Sequence, residues 1–302
     1  MTLMDPVRAV ANALLYEGYM LYPYRPSAFK NHRPGWSLGS LLPPAYVSVT
    51  PGERDSFSAE LLMRSPGDAQ LVVEARFLQM ASAGSNSMIE RCVTGGTVIA
   101  SLLSRPQSLS FDFRESAVVE GKHVAGRLEL GAESVAEGLV KLRLGVQNLS
   151  VPETALLSRD EALCFALIAA HVIVTISDGE FVSLLDPPDE LRSAAAGCTQ
   201  AGVFPVLAGL PAQRTAMLVS PIILGDYPQI APESRGDFFD SSEIDEMLTL
   251  RVLTLSEREK QEIRMGELQA GEILARTESL MAEDVLKLHG VFRTPPGGKE
   301  KP

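Results

Sequence analysis

Residues 139–148, "LVKLRLGVQN", form the clearest strand pattern in this sequence. From Val140 onward, apolar residues alternate with charged, polar or small ones, which is the period of a strand that buries one face. The stretch therefore predicts β-structure in the middle of the chain.

Similar patterns lie on both sides of this stretch. Strands are predicted at residues 45–50, 57–63, 70–80, 109–113 and 123–131. Turn dipeptides such as Pro51-Gly52 and Pro66-Gly67 separate them. Because no helical pattern lies between these strands, we expect an antiparallel core, either sandwich-like or a half-barrel. Gly95-Gly96 lacks the lysine of a phosphate-binding loop and is predicted to form a hairpin turn.

Helices are predicted at the N-terminus and after the strands. Asp5-Pro6 is a favourable helix start, and Pro23 would end that helix. A capping box over residues 158–161 precedes an apolar run, residues 162–176, which predicts a buried helix whose β-branched end, "HVIVTI", also fits a strand. Residues 180–188 predict a short strand, and residues 189–198 predict a short helix closed by Gly197.

The last quarter of the chain is predicted to be helical and acidic. Asp240 with Glu243, and Ser256 with Glu259, place a cap and its acid at two helix starts. Residues 226–284 contain 15 acids and 6 bases. The predicted fold class is α+β, with four regions: an N-terminal helix and proline-rich aromatic loop (1–44), a β-rich core (45–225), an acidic helical region (226–290) and a disordered tail (291–302).

Composition argues against several classes of function. The formal net charge of −11 disfavours binding to nucleic acid or to an anionic membrane. No apolar run reaches the roughly 18 residues of a membrane span, and the first residues lack a basic export signal, so a cytoplasmic location is expected. Cys92, Cys164 and Cys198 are widely spaced, which disfavours a disulfide framework or a cysteine zinc site.

Catalytic and metal motifs are weak. Gly35 to Gly39 matches the G-x-S-x-G pattern of serine hydrolases. That motif needs a strand before the serine and a helix after it, and the proline-rich flanks of Ser37 predict neither. His171 lies in an apolar run and is predicted to be a core histidine bonded to a backbone carbonyl. The acids between Asp237 and Glu246 lack the spacing of a calcium loop. We therefore predict no catalytic residue, metal or cofactor.

Two segments have the composition of protein-binding surfaces. The first combines large aromatic side chains with arginine, as interface hot spots do: Tyr19, Tyr22, Tyr24, Arg25 and Trp36. Packing of these rings against the core is the competing interpretation. The second segment is acidic and would attract a basic partner: Asp240, Glu243, Asp245 and Glu246.

Three stretches together resemble one protein family: residues 14–46, 179–209 and 218–260. Their most specific segments are "YEGYMLYPYR", residues 16–25, and "FDSSEIDEMLTLR", residues 239–251. The chain resembles the uncharacterised accessory proteins encoded beside nickel-iron uptake hydrogenases of the actinobacterial, high-affinity type. The resemblance extends from about residue 7 to residue 280.

This resemblance implies a cytoplasmic accessory, chaperone or assembly role in which the chain binds a hydrogenase subunit or a maturation factor. It carries no catalytic or ligand residues with it. Two other functions stay open at this point. The chain could be an enzyme of unrecognised type, with a pocket where residues such as His171, Cys198 and Glu17 converge, or it could be a structural subunit of the hydrogenase complex.

Overall fold

The computed structural model describes residues 4–16, 39–80, 88–113, 123–153, 158–230, 255–265, 271, 274–275 and 277–279. The chain divides into two compact units. The first contains residues 1–19 and 34–230, and the second contains residues 20–33 and 231–302.

The described part of the first unit is built mainly from strands. In chain order these are β1 (Ser56–Arg64), β2 (Gln70–Met80), β3 (Met88–Val98), β4 (Gln107–Phe113), β5 (Val124–Ala136), β6 (Leu139–Asn148), β7 (Ile168–Ile176), β8 (Glu180–Phe181), β9 (Gln200–Ala201), β10 (Phe204–Leu207) and β11 (Ala216–Ser220). Its helices are α1 (Asp5–Tyr16), α2 (Pro44–Val47), α3 (Ile99–Ser104), α4 (Arg159–Leu163) and α5 (Arg192–Ala196), with a 3₁₀ turn at Asp189–Leu191.

The strands form two antiparallel sheets. The first sheet has the order β4-β5-β6-β1-β8, with β9 also paired to β1. The second sheet has the order β10-β11-β7-β2-β3. The predicted α+β class with an antiparallel, sandwich-like core is thus confirmed, and the sheets do not close into a barrel.

The main hydrophobic core lies between the two sheets, because alternate residues of both point inward. β6 contributes Val140, Leu142, Leu144 and Val146, the apolar positions of the pattern at residues 139–148. From the second sheet, β2 contributes Leu71, Val73, Ala75 and Phe77. The alternation read from the sequence therefore identifies the inward-facing residues correctly.

Two smaller apolar clusters cover the outer faces of the sheets. On the second sheet, α1 packs Val7, Val10, Ala11 and Leu14 against residues of β7, β10 and β11. On the first sheet, Leu191 and Ala195 of the short helical segment pack against Leu62 and Leu139. Each sheet consequently has both of its faces at least partly buried.

Several local predictions are confirmed. The strands at residues 57–63, 70–80, 109–113 and 139–148 are present, as is the one at 123–131, which continues to Ala136. Ser158 and Glu161 form the predicted capping box at the start of α4. Gly197 is the residue that follows the last residue of α5.

The predicted helix over residues 162–176 is wrong for most of its length. Helix α4 ends at Leu163, and residues 168–176 form β7, whose β-branched end was the alternative interpretation. The run is apolar on both faces because β7 is central: one face lies in the main core and the other contributes Ile173 to the cluster under α1. A strand buried on both faces loses the alternation that distinguishes it from a buried helix.

Two further predictions fail for local reasons. Residues 45–50 contain α2 rather than a strand, since Pro44 occupies the first helical turn, a position that suits proline, and Val49 is exposed. Gly95 and Gly96 lie inside β3, opposite Val73 and Val72, and form no turn. At Gly95 the absent side chain admits Leu109 of β4, whose Cδ2 atom lies 3.3 Å from the point that a Cβ would occupy.

The second unit is described over a short part of its length. Helix α6 (Glu257–Arg264) has Ser256 as its N-cap, and Ser256 and Glu259 form the second predicted capping box. Arg264 and Lys260 both pair with Glu278. The predicted helix start at Asp240 and the predicted tail at 291–302 lie outside the described residues.

Candidate functional site

Both surfaces predicted from composition lie outside the described residues. Tyr19, Tyr22, Tyr24, Arg25 and Trp36 belong to residues 17–38, and Asp240, Glu243, Asp245 and Glu246 belong to residues 231–254. Glu17 and Ser37 also lie in the first of these segments. Their roles stay predictions.

His171 is a core histidine, as predicted. It lies on β7 on the face turned toward α1, is 1% exposed, and has its Nδ1 atom 2.9 Å from the carbonyl oxygen of Ala169, to which Nδ1–H donates. Its Nε2 atom has no hydrogen-bond partner among the described residues. Burial lowers the pKa of His171 to about 4, and the nearby Arg76 guanidinium acts in the same direction.

Cys198 lies beside an ion-pair cluster on the outer face of the first sheet. Glu60 of β1 accepts hydrogen bonds from Arg143 of β6 and from the backbone N–H of Thr199, both at 2.9 Å, and lies 3.7 Å from Lys141. Burial would raise the pKa of Glu60, but the hydrogen bonds from Thr199 and Arg143 outweigh it, and the pKa lies below its usual value.

The thiol of Cys198 is poorly suited to act as a nucleophile in this cluster. Burial is the largest influence and raises the pKa of Cys198, the Glu60 carboxylate raises it further, and Lys141 opposes them only in part. Since the thiolate is the reactive form, a raised pKa keeps the group protonated and unreactive near neutral pH.

The structure does not bring His171 and Cys198 together. His171 lies between the second sheet and α1, whereas Cys198 packs on the outer face of the first sheet with Leu62 and Leu139. The whole thickness of the sandwich separates them, so they do not share a pocket. An activity that uses only one of the two residues stays a prediction.

The longest edge strand of the described residues is β3. It has 11 residues and pairs with β2 alone among the described strands, so within the described structure the backbone N–H and C=O groups of its other edge have no strand partner. Residues 92–98 of this strand, "CVTGGTV", contain neither a charge nor a proline. An edge of this kind is a template on which another extended segment can pair.

The remaining edges of the two sheets are shorter or protected. β10 contains Pro205, which has no N–H to donate, and β8 and β9 have two residues each. β4 has seven residues and is preceded by Pro106. Among the described strands, β3 is therefore the edge best suited to strand addition.

Sequence reasoning missed this edge because it assigned Gly95-Gly96 to a turn. The signal that could have found it is the set of β-branched and apolar residues on both sides of the glycines: Ile89, Val93, Thr94, Thr97 and Val98. A glycine pair inside such a run can also mark a close approach of a neighbouring element, as Leu109 shows here.

No known family model matches the sequence. No curated protein matches it significantly either.

Two other kinds of feature are absent from the described residues. Among them, no group of three or more histidine, cysteine or acidic side chains is placed to hold a metal ion. No helix in the same part of the chain is long and apolar enough to cross a membrane.

Proposed function

We propose that this chain is a cytoplasmic accessory protein of a nickel-iron hydrogenase that acts by binding rather than by catalysis. It would capture an extended segment of a hydrogenase subunit or maturation factor along the free edge of β3. The observation that carries the binding mode is the 11-residue edge strand with its uncharged stretch at residues 92–98. The hydrogenase context comes from the sequence resemblance.

The physical basis of this binding mode is strand addition. Backbone N–H and C=O groups along β3 would pair with those of the partner, and such bonds depend little on the partner's sequence. Alternate side chains then supply selectivity: Thr94 lies on the outer face of the sheet, whereas Val93 lies on the core face. An assembly factor that binds a segment temporarily can combine backbone pairing with this side-chain selectivity.

The two predicted surfaces provide further contacts under this proposal. Replacing Tyr22, Arg25 and Trp36 together by alanine should weaken partner capture while the melting temperature stays nearly unchanged. Affinity capture and a thermal melt of the same preparation measure both quantities. A large fall in the melting temperature would instead support packing of these side chains in the core.

The edge itself is tested with lysines, which natural edge strands use to prevent pairing. Thr94→Lys combined with Gly96→Lys places two charges on the outer face of β3, and the nearest atom to a Cβ at Gly96 is 3.9 Å away. The matched control is Glu129→Lys, which makes the same change in net charge on the exposed face of β5, a strand with neighbours on both sides.

The measurement is affinity capture of the tagged protein from its native host while hydrogenase is being made, with quantification of hydrogenase subunits and maturation factors. We expect the wild type and Glu129→Lys to recover the same partner, and the double lysine variant to recover about tenfold less. Equal recovery by all three proteins would rule out the edge as the contact.

Failure of the wild type to recover any hydrogenase component, from cells shown to contain them, would contradict the proposed function as a whole. The structural-subunit alternative makes a different prediction, because a subunit would remain in the purified active enzyme in a fixed ratio. An accessory protein would be absent from that preparation.

A further inference from the structure

Arg91 of β3 points its side chain into the sandwich rather than toward solvent. In the register of β2 and β3 it lies opposite Phe77, a residue of the main core, and directly opposed residues share one face of a sheet. Glu90, its neighbour in the chain, lies on the other face, 4.0 Å from Arg76.

The guanidinium of Arg91 is held by an amide and an aromatic ring. Its Nε–H donates to Oε1 of Gln79, which is 1% exposed, over 2.8 Å. Its central carbon lies 4.6 Å from the ring centroid of Phe113 on β4. The hydrogen bond fixes one edge of the planar guanidinium, and the ring attracts its positive charge, so both contacts orient the group.

Phe113 belongs to a cluster of three phenylalanine rings. Phe77 lies 5.5 Å from Phe111 and 5.9 Å from Phe113, and the last two are 6.0 Å apart, measured between ring centroids. Rings at these separations attract one another and form a continuous apolar surface. The cation therefore lies beside an aromatic cluster.

No carboxylate of the described residues lies within ion-pair distance of Arg91. This differs from Arg8, which is bound to Glu74, and from Arg143, which is bound to Glu60, although both are more exposed to water. Burial lowers the pKa of Arg91, which expresses the cost of removing its charge from water. Within the described structure, no negative charge compensates its two terminal nitrogens.

Arg91 and Phe113 lie on the end strands of the two sheets. β3 ends the second sheet and β4 ends the first, and no backbone pairing joins them among the described residues. Arg91 and Phe113 therefore make contact between the end strands of the two sheets. No other described strand lies between β3 and β4 at this side of the sandwich.

We infer that Arg91 and the adjoining phenylalanine cluster bind a carboxylate carried on an apolar or aromatic body. The two terminal nitrogens of the guanidinium offer a fork that matches both oxygens of a carboxylate. The rings of Phe111 and Phe113 would cover the apolar body, as in ligand sites that combine an apolar wall with few polar contacts.

The ligand is a monoanion rather than a phosphate because one cation supplies the charge. A single guanidinium neutralises one negative charge, whereas a dianion such as phosphate would keep one negative charge without a partner in an apolar site.

Calorimetric titration of the full-length protein tests this inference with phenylacetate, its neutral analogue phenylacetamide, and inorganic phosphate. We expect phenylacetate to bind at least about tenfold more tightly than either of the others. Arg91→Gln should remove that preference. Arg127→Gln, which removes a partly exposed arginine on the outer face of β5, should retain it.

Two further variants keep the test informative if Arg91→Gln does not fold. Arg91→Lys retains a positive charge but loses the planar fork, and should weaken phenylacetate binding several-fold. Phe113→Leu retains apolar volume but loses the ring face, and should weaken it as well. A thermal melt of each protein establishes that the compared samples are folded.

Three outcomes would overturn the inference: equal binding of phenylacetate and phenylacetamide, binding unchanged by Arg91→Gln or Arg91→Lys, or no heat from phenylacetate or octanoate up to about 10 mM. The inference is independent of partner capture at the β3 edge. The lysine variant at Thr94 and Gly96 should therefore still bind phenylacetate.

Discussion

Single residues decide where large side chains fit in this sandwich, and Gly126 is the clearest case. It lies opposite Phe111 in the register of β4 and β5. A Cβ at this position would come within 2.4 Å of the Phe111 ring and 2.8 Å of the backbone oxygen of Gln147. The Phe111 ring can shift, but the backbone oxygen cannot rotate away, so the strands themselves also have to move apart.

We expect Gly126→Ala to lower the free energy of unfolding by about 1–3 kcal/mol, which is typical of an overpacked core. Gly96→Ala is the matched control, because its nearest neighbour is 3.9 Å away, and it should change stability little. Urea denaturation of the three proteins measures the difference. A neutral Gly126→Ala would mean that the aromatic cluster is loosely packed.

His171 makes folding stability depend on pH. The pKa of His171 is about 4 in the folded protein, below the usual value of 6.5. Above pH 6.5 both states hold a neutral ring. As the pH falls from 6.5 to 4, the histidine binds a proton in the unfolded chain but stays neutral in the folded chain. The free energy of unfolding therefore falls in this window, by about 1.4 kcal/mol per pH unit.

We expect His171→Asn to reduce this pH dependence, because asparagine can donate to the carbonyl of Ala169 but does not titrate. Urea denaturation at pH 7 and pH 5 should show a loss of stability about 2 kcal/mol larger for the wild type than for the variant. The comparison removes the contribution of carboxylates, which both proteins share. Equal losses would show that the ring is already protonated in the folded state at pH 5.

At the scale of the element, Asn148 at the end of β6 connects segments that are distant in sequence. It is fully buried, donates from Nδ2 to the carbonyls of Leu41 and Phe165 at 2.7 and 2.8 Å, and accepts from the N–H of Ser150. All of these hydrogen bonds require an amide.

Asn148→Asp should therefore destabilise the protein by about 3 kcal/mol or more, since a carboxylate would face two carbonyl oxygens without a proton to donate. Gln147→Glu makes the same chemical change at the half-buried neighbouring position and should have a small effect. Thermal melting of both variants at neutral pH measures the contrast. Similar melting temperatures would exclude the network as a source of stability.

Prediction from sequence worked best for elements with one buried face. β2 and β6 were predicted with their observed bounds, because alternation is a local signal. β7 was assigned mainly to a helix because its burial on both faces depends on α1 and on the opposite sheet, which are distant in sequence. The same limit applies to β3, whose glycines are explained by a contact from β4.

At the scale of the molecule, the class of the fold could be predicted but not its strand order. Nothing local indicates that β1 lies between β6 and β8, or that β7 lies between β2 and β11. The candidate edge and the Arg91 cluster were missed for the same reason. Gln79, Arg91 and Phe113 come from three strands, and no spacing in the sequence marks them as neighbours.

The division into two units leads to a prediction about truncation. All three described apolar clusters of the first unit end before residue 230. A chain that stops after Ile230 should retain a cooperative melting transition within a few degrees of the full-length protein. Differential scanning calorimetry of both chains measures this. A broad transition without cooperativity would show that the first unit needs residues 231–302.

The position of α1 has a consequence for synthesis on the ribosome. The helix leaves the ribosome before the strands, but its apolar face packs on β7, β10 and β11, which come late in the chain order of the sandwich. Roughly 150 to 200 residues separate α1 from these strands, which corresponds to about 8–40 seconds at ordinary elongation rates. During that time Val7, Val10 and Leu14 cannot make their native contacts with these strands. We therefore expect a chaperone that binds nascent chains to recognise this apolar helix.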